Sequence, residues 1–212
     1  MTAPPNTSVN ARDILVELES GEVLRTISGN LIISKIDVTD AQRETAQIWK
    51  TKGIRGQRIL RDDVMTVSGE VLARHDDGSL KSDVLTCLRA NGLNVDSAEC
   101  DDNAMVLVST PFHNDLAAFQ DKYFCVVWLG ESDNLDLVFP HLARRVPLQM
   151  GVVVVFDPCQ PHGVVARGAA SHQLDDVENH MLQACYSIDI PYDNESAMAA
   201  MNVEIHLRDQ IW

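Results

Sequence analysis

Three residues in the second half of this sequence have the chemical types and the order of a metal-binding site. His113 and Asp115 stand two positions apart and directly follow an apolar, strand-like run that ends near Pro111. Because residues two apart on a strand share a face, both side chains can point to the same side. His162 follows another apolar run and a turn bounded by prolines. The separation of about 50 residues is enough for about four strands, so a rolled-up antiparallel sheet could bring His162 back to His113.

Two imidazoles and one carboxylate, with positions left open for other ligands, are a donor set that suits mononuclear non-haem Fe(II). The carboxylate is a hard anionic ligand and the imidazoles are intermediate donors. A His-x-Asp pair alone is weak evidence, since chance gives about one such pair in a chain of this composition. The segment from His75 to Asp77 is a second example, which we expect to lie in a solvated turn because Gly78 follows.

The elements that must position these residues are predicted to be short strands. After about residue 104, short runs rich in valine, aromatic residues and cysteine alternate with breakers such as Pro147 and Pro158. Several short strands at near-regular spacing favour a sandwich or jelly roll over alternating β-α units. Residues 13–36 predict further short strands joined by tight turns.

Two helices are predicted in the N-terminal half. Thr39 or Asp40 can cap the first, which Gly53 ends, and the second is predicted to begin near Ser79 or Ser82. We therefore predict a mainly β (α+β) fold, a cupin-like jelly roll with N-terminal β-hairpins and flanking helices. The predicted parts of this single domain (1–212) are a flexible lead (1–12), a β/α layer (13–104), a barrel core (105–190) and a C-terminal extension (191–212).

The composition disfavours several classes of partner and location. Lys and Arg number 17 against 31 Asp and Glu, a net charge of −14. An acidic surface repels phosphate backbones and anionic lipid, so nucleic acid is an unexpected partner. No run is long and apolar enough to predict a membrane span, and the first residues lack the pattern of a secretory signal. The five cysteines are odd in number and show no CxxC spacing, which favours a reduced, cytoplasmic setting.

Residues 105–190 resemble the Fe(II)/2-oxoglutarate-dependent dioxygenases, which are built on the double-stranded β-helix. The motifs that carry the resemblance are "HND" at 113–115, "YFCVVWLG" at 123–130, "LDLVFP" at 135–140 and "VPLQMGVVVVFDPCQPHGV" at 146–164. The resemblance implies that His113, Asp115 and His162 hold Fe(II) and are the catalytic centre. It further implies that 2-oxoglutarate chelates the metal through its 1-carboxylate and 2-oxo group. The activity implied is hydroxylation of an unidentified small-molecule or peptide substrate.

The co-substrate anchor departs from the family pattern. The family binds the far carboxylate of 2-oxoglutarate with an Arg or Lys about ten residues after the distal His, where this sequence has His172. The remaining candidates for this role are Arg167 and His180, and Trp128 occupies the position of an assisting Tyr. Strand alternation places Arg167 on the face away from His162 unless a bulge intervenes.

Two alternatives from other classes remain open. The missing late Arg is compatible with a cupin-like enzyme that uses the metal without 2-oxoglutarate, and a non-catalytic jelly-roll binding protein is the third possibility. Arg144 and Arg145 are expected to form a solvated turn, although they could recognise an acidic substrate. Cys159 is expected to be a turn residue. The oligomeric state is not predicted.

Overall fold

The computed structural model describes residues 15–18, 21–53, 64–75, 78–131, 134–172 and 182–210, and most of its regular structure is β. The strands are β1 (Leu15–Glu17), β2 (Val23–Thr26), β3 (Ile32–Lys35), β4 (Met65–Thr66), β5 (Asp101–Leu107), β6 (Thr110–His113), β7 (Lys122–Trp128), β8 (Leu135–Phe139), β9 (Arg144–Pro147), β10 (Val152–Phe156), β11 (His162–Ala166), β12 (Gln183–Pro191) and β13 (Ile205–Leu207). The helices are α1 (Asp40–Ile48), α2 (Gly69–His75), α3 (Ser79–Ala90), α4 (Leu116–Phe119) and α5 (Glu195–Met201), with a π-helical turn at Trp49–Gly53.

Two antiparallel sheets form the body of the fold. The larger has the strand order β3-β10-β7-β12-β5-β4, and the smaller has the order β6-β11-β8-β9. From β5 to β12 the chain alternates between the two sheets, except that β8 and β9 are neighbours in the smaller one. Apolar side chains of both sheets meet in one core cluster. This is the jelly roll that the sequence predicts, and the mainly β fold class is confirmed.

The larger sheet is covered on both faces. Every residue of β10, the run Val152–Phe156, is buried, because one face meets the smaller sheet and the other meets helices. A strand buried on both faces reads as a continuous apolar run rather than an alternating one. In β12 alternation separates the two cores: Tyr186 and Ile188 pack toward the helices, and Cys185 packs between the sheets.

The helical layer on the outer face begins with a capped helix. Thr39 accepts a hydrogen bond from the Gln42 N–H at 3.2 Å, and the Gln42 side chain accepts one from the Thr39 N–H at 2.9 Å. This reciprocal capping box starts α1 where the sequence predicts a helix. The fully buried Trp49 follows it and stacks on Tyr186 with ring centroids 6.2 Å apart, which fixes α1 to β12.

The second predicted helix exists, but its start differs in mechanism from the prediction. Helix α3 begins at Ser79, yet the capping residue is Gly78, and no side chain caps the helix. Gly78 has φ +76°, a left-handed conformation that glycine adopts without steric cost. The serine caps predicted here are therefore wrong, because the chain enters the helix through a glycine turn.

A third, small sheet of order β1-β2-β13 lies beside the barrel. The hairpin β1-β2 comes from the N-terminal part, while β13 comes from the C-terminal extension and pairs with β2. A small apolar cluster of Val16, Ile27 and Cys159 joins this sheet to the loop before β11. The predicted flexible lead, 1–12, lies outside the described residues.

Within the described ranges, no helix has the length and apolar character needed to cross a membrane.

Candidate metal centre

The structure brings the three sequence-predicted ligands together. His113 is the last residue of β6, His162 is the first residue of β11, and these strands pair with the two histidines directly opposite each other. The imidazole centroids are 4.5 Å apart. Asp115 lies two residues beyond β6, just before the short helix α4. The pairing register between β6 and β11 shifts between His162 and Val164, next to the site.

The donor atoms of these residues form a compact triangle. One Asp115 carboxylate oxygen lies 3.6 Å from Nε2 of His113, and the other lies 3.5 Å from Nε2 of His162. One ligand atom from each of the three residues lies within 4.8 Å of the others. Ligands about 2.1 Å from one ion stand roughly 3 Å apart in neighbouring positions, so a small contraction around a cation would complete this arrangement.

Backbone carbonyls set the tautomer of both histidines. Nδ1 of His113 lies 2.8 Å from the Pro111 carbonyl, and Nδ1 of His162 lies 2.8 Å from the Gln160 carbonyl. A carbonyl oxygen can only accept, so each Nδ1 carries the proton and each Nε2 presents its lone pair to the triangle. Orientation of ligating imidazoles by such contacts is the usual arrangement at metal centres.

The electrostatics of the site also suit a cation. Burial lowers the pKa of His162, and the neighbouring His113 lowers it further, although the hydrogen bond to Gln160 opposes these effects. His162 is therefore neutral near pH 7, as a metal-ligating imidazole must be. The Asp115 carboxylate supplies the negative charge. Together these groups fit a divalent cation of intermediate character, such as Fe(II).

The loop between β10 and β11 is fixed by a buried ion pair that the sequence did not reveal. Arg25 on β2 and Asp157 at the end of β10 are both fully buried, and their side chains make two hydrogen bonds of 2.6 and 3.1 Å. Nε of Arg25 also donates to the Gln120 carbonyl at 2.6 Å. The only sequence signal is a single Arg in a short strand and an Asp ending an apolar run, and neither indicates its partner.

Asp157 also organises the backbone that carries His162. Its carboxylate accepts hydrogen bonds from the N–H groups of Ser28 and Cys159, at 2.9 and 3.0 Å. The Gln160 side chain then donates to the Ser28 carbonyl at 2.9 Å. Ser28 follows β2 of the third sheet, β1-β2-β13, and the Gln160 carbonyl orients His162. This third sheet therefore helps to position one candidate ligand through the loop.

The same loop holds the second arm of the site. The Asp115 N–H donates to the Pro158 carbonyl at 2.9 Å. This bond joins the turn after β6 to the loop before β11, so Asp115 and His162 are fixed relative to each other. Cys159 lies in this loop as a buried turn residue; its Sγ is 3.3 Å from the Arg25 guanidinium, and burial raises the pKa of its thiol to about 12.

A largely apolar cavity of about 280 Å³ lies between the two sheets beside the three candidate ligands. Its walls come from both sheets and from residues 64–66. The apolar side chains that line it are Val64, Met105, Leu107, Phe119, Phe124, Val126, Trp128, Leu137, Leu148, Phe156, Val164 and Cys185. Apart from the candidate ligands, the polar groups in this lining are the hydroxyls of Thr66 and Thr110 and the indole N–H of Trp128. A ligand in this cavity would lie against the triangle in a mostly dry environment.

The sequence-predicted co-substrate residues are placed differently. Arg167 follows β11 and does not line the cavity; its Nε lies 3.2 Å from Asp136, and its terminal nitrogen donates to the Leu135 and Leu148 carbonyls. Trp128 does line the cavity, and its indole N–H has no hydrogen-bond partner among the described residues. His180 lies outside the described residues.

The remaining sequence candidates are distant from the triangle or engaged elsewhere. His172 contacts the Ser109 hydroxyl at 3.0 Å. Arg144 is exposed and Arg145 pairs with Asp136 at 2.6 Å. Both residues lie in β9, so the solvated turn predicted for them is wrong: they pair with β8 instead. His75 ends α2 and is not part of the candidate cluster.

No protein-family model matches this sequence, and no curated protein sequence matches it. Solved structures do show similarity. A prolyl hydroxylase from Trichoplax adhaerens, in complex with a hypoxia inducible factor peptide fragment, is 10% identical with a TM-score of 0.49, covering 81% of this chain and 87% of that one. A prolyl-4-hydroxylase from Pseudomonas putida is 14% identical with a TM-score of 0.47, covering 78% of this chain and 93% of that one.

A third similar structure is the viral collagen prolyl hydroxylase of Paramecium Bursaria Chlorella virus-1 in complex with 2-oxoglutarate. It is 14% identical with a TM-score of 0.44, covering 74% of this chain and 94% of that one. Such identities and TM-scores assign neither activity nor substrate, so any function for this chain must be inferred from the geometry of its own site.

Proposed function

We propose that this chain is a mononuclear non-haem Fe(II) dioxygenase that hydroxylates a small-molecule or peptide substrate, with O₂ and a 2-oxo acid as co-substrates. The observation that carries the proposal is the triangle of His113, Asp115 and His162 at the wall of an apolar cavity. Both imidazoles present unprotonated Nε2 atoms toward one carboxylate. 2-Oxoglutarate is the 2-oxo acid that the sequence resemblance implies.

The three residues would hold the metal from one side and leave its other positions open toward the cavity. Bound Fe(II) would supply the redox chemistry that activates O₂. In the overall balance, one oxygen atom enters a substrate C–H bond to give an alcohol. The other enters the carboxylic acid formed when the 2-oxo acid loses CO₂. No further reductant is needed, because oxidative decarboxylation of the 2-oxo acid supplies two electrons.

The cavity walls would serve two purposes in this reaction. Phe124, Phe156 and Trp128 form an apolar surface beside the ligands, which would keep bulk water away from the reacting groups. The hydrogen bonds behind the ligands would keep both imidazoles in one orientation, so that the substrate C–H and the metal stay in a constant relation. The protein's contribution is thus positioning and exclusion of water.

The described cavity fits one end of 2-oxoglutarate better than the other. The 1-carboxylate and 2-oxo group need only open metal positions, which the triangle would leave. The far carboxylate needs a cationic or multiply donating partner, and no Lys or Arg among the described residues lines the cavity.

A reducing cytoplasmic location is part of the proposal. All five cysteines are free thiols, and four of them are buried. A reducing compartment keeps such thiols unpaired. Thiol titration of the denatured protein, isolated from its native host under alkylating conditions, should find five reactive groups, whereas disulfides would contradict this location.

Metal binding by purified variants tests the central part of the proposal. The anaerobic protein should bind one Fe(II) or Mn(II) per chain, and His113→Ala or Asp115→Ala should lose this binding while keeping the far-UV circular dichroism of the wild type. His206→Ala is the matched control, because His206 is also partly exposed and lies 3.8 Å from a carboxylate, that of Glu204. The control should bind metal like the wild type.

Other outcomes of this experiment separate the alternatives. Metal binding without consumption of any 2-oxo acid would support a cupin-like enzyme that uses the metal alone. Absence of metal binding in the folded wild type would contradict the proposal and favour a non-catalytic jelly-roll binding protein. Equal loss of metal from the His206 and His113 variants would also contradict the assignment.

A further inference from the structure

The charge distribution around the cavity differs from what a dicarboxylate requires. Apart from the candidate ligands, the polar groups in its described lining are two threonine hydroxyls and the indole N–H of Trp128, all of them neutral. The hydroxyl of Thr110 already accepts a hydrogen bond from the Val164 N–H at 2.8 Å. Among the described residues, the lining therefore offers neutral hydrogen-bond donors but no positive charge beyond the metal position itself.

The wall formed by the larger sheet is uncharged along three adjacent strands. Cys185 near the start of β12 stands opposite Met105 of β5 on one side and Trp128 of β7 on the other. All three side chains line the cavity. Burial raises the pKa of the Cys185 thiol to about 12, so this thiol is neutral near pH 7. A ligand tail that reaches this row meets sulfur, methylene and indole surface.

Three cations in the described part of the barrel are already held by carboxylates. Arg167 and Arg145 both contact the buried Asp136, at 3.2 and 2.6 Å. Lys122, at the beginning of β7, lies 3.4 Å from the carboxylate of Asp189, which faces it from β12. Moving Lys122 into the cavity would leave the buried Asp189 carboxylate without this cation, which is costly. Moving Arg167 or Arg145 would remove one of the two cations that contact the buried Asp136.

We infer that the cavity selects a 2-oxo acid with an uncharged, apolar tail over the dicarboxylate 2-oxoglutarate. The inference rests on the proposed function, because it concerns the co-substrate of the same site. The shared 1-carboxylate and 2-oxo group would occupy the open metal positions in both cases. An apolar tail then gains burial against Met105, Cys185 and Trp128, whereas a second carboxylate would lose its hydration and meet only neutral donors, and no cation, in the described lining.

The direct test compares two ligands on the metal-loaded protein. The full chain, loaded anaerobically with Mn(II), is titrated in a calorimeter with 2-oxoglutarate and, separately, with 4-methyl-2-oxopentanoate, a branched aliphatic 2-oxo acid. We expect 4-methyl-2-oxopentanoate to bind at least tenfold more tightly, a difference of about 1.4 kcal/mol. The measurement is independent of turnover, so it does not require the hydroxylated substrate.

Introduced cations should reverse this preference. Cys185→Arg would place a guanidinium in the apolar row, where its planar fork can bind a carboxylate. We expect this variant to bind 2-oxoglutarate at least tenfold more tightly than the wild type does, whereas Cys185→Leu, which adds bulk without charge, should show no such gain. Thr66→Arg is the second cation variant. Thr66 lines the cavity but is exposed, so an arginine at this position need not bury its charge when the chain folds.

The possible failures are distinguishable. If the wild type binds 2-oxoglutarate more tightly than 4-methyl-2-oxopentanoate, the inference is overturned and the proposed function stands. If the Mn(II)-loaded protein binds neither acid, the inference fails together with the 2-oxo acid in the proposed function, and metal use without such an acid takes its place.

Discussion

At the scale of single residues, the candidate site is determined by side chains and by the groups behind them. The types and order of His113, Asp115 and His162, together with the family resemblance of residues 105–190, predicted from sequence which residues meet. Arg25 and Asp157 could not be predicted in the same way. Their pairing joins positions far apart in sequence, and only the folded chain shows that both are buried.

The buried pair leads to a prediction about stability. Arg25→Met leaves the fully buried Asp157 carboxylate without its cation, and loss of one partner of such a pair costs about 3–5 kcal/mol. The loop that orients His162 depends on the same carboxylate, so metal affinity should also fall by at least tenfold. Urea unfolding of the metal-free protein and calorimetric metal titration measure the two effects.

An exposed ion pair provides the control for this prediction. Arg74→Met removes a salt bridge between Arg74 and Glu70, whose side chains are both mostly exposed on α2. Such pairs contribute about 0.3–0.5 kcal/mol, and this one lies away from the candidate ligands. If Arg25→Met were as mild as Arg74→Met, the buried pair would not support the loop as we propose.

At the scale of secondary structure elements, those signalled by neighbouring residues were predicted better than those that depend on pairing with a distant strand. The capping box at Thr39 and the continuous apolar run of β10 identify a helix and a strand from nearby residues alone. Strand β13 was not predicted, because Ile205–Leu207 is short and gains its stability from pairing with β2, a strand far away in sequence. The glycine entry into α3 was missed because adjacent serines offered a more familiar cap.

One turn between elements supports a second stability prediction. Gly151 has φ +83° before β10, its N–H donates to the Trp128 carbonyl, and its carbonyl accepts from the Ile36 N–H. A Cβ at this position would clash with the Ile36 carbonyl oxygen. Gly151→Ala should therefore cost more than the roughly 1–2 kcal/mol that a left-handed conformation alone costs.

The matched comparison for this turn is Gly78→Ala. Gly78 has φ +76°, but a Cβ there would meet nothing within 4 Å. Its replacement should cost only the conformational penalty, and chemical denaturation of both variants gives the difference. Equal losses for the two variants would show that the close approach to Ile36 has no energetic weight.

At the scale of the whole molecule, the apolar cavity affects only a ligand that enters it, whereas the acidic net charge affects ions in the surrounding solution. The net charge of −14 raises the local concentration of divalent cations around the protein but identifies no small ligand. The composition of the cavity wall could not be predicted from sequence, because it depends on which faces of β5, β7 and β12 point between the sheets. Strand parity did anticipate the outward placement of Arg167.

The three candidate ligands come from β6, from the turn after it and from β11. Metal binding should therefore stabilise the folded chain against thermal unfolding. A ligand that binds only the native state adds about 2.7 kcal/mol at a free concentration of a hundred times its dissociation constant. Thermal unfolding with and without Mn(II) should show this increase for the wild type and for His75→Ala. His162→Ala should unfold at the same temperature with or without the metal, and a metal-dependent increase in that variant would place the cation elsewhere.

The most direct test of the central claim is a crystal structure of the full chain grown anaerobically with Fe(II), with anomalous scattering recorded at the iron edge. We expect one anomalous peak per chain, about 2.0–2.2 Å from Nε2 of His113, Nε2 of His162 and a carboxylate oxygen of Asp115. Its remaining positions should open toward the cavity. An ordered triangle without a peak under saturating Fe(II), or a peak bound by other residues, would contradict the proposed metal centre.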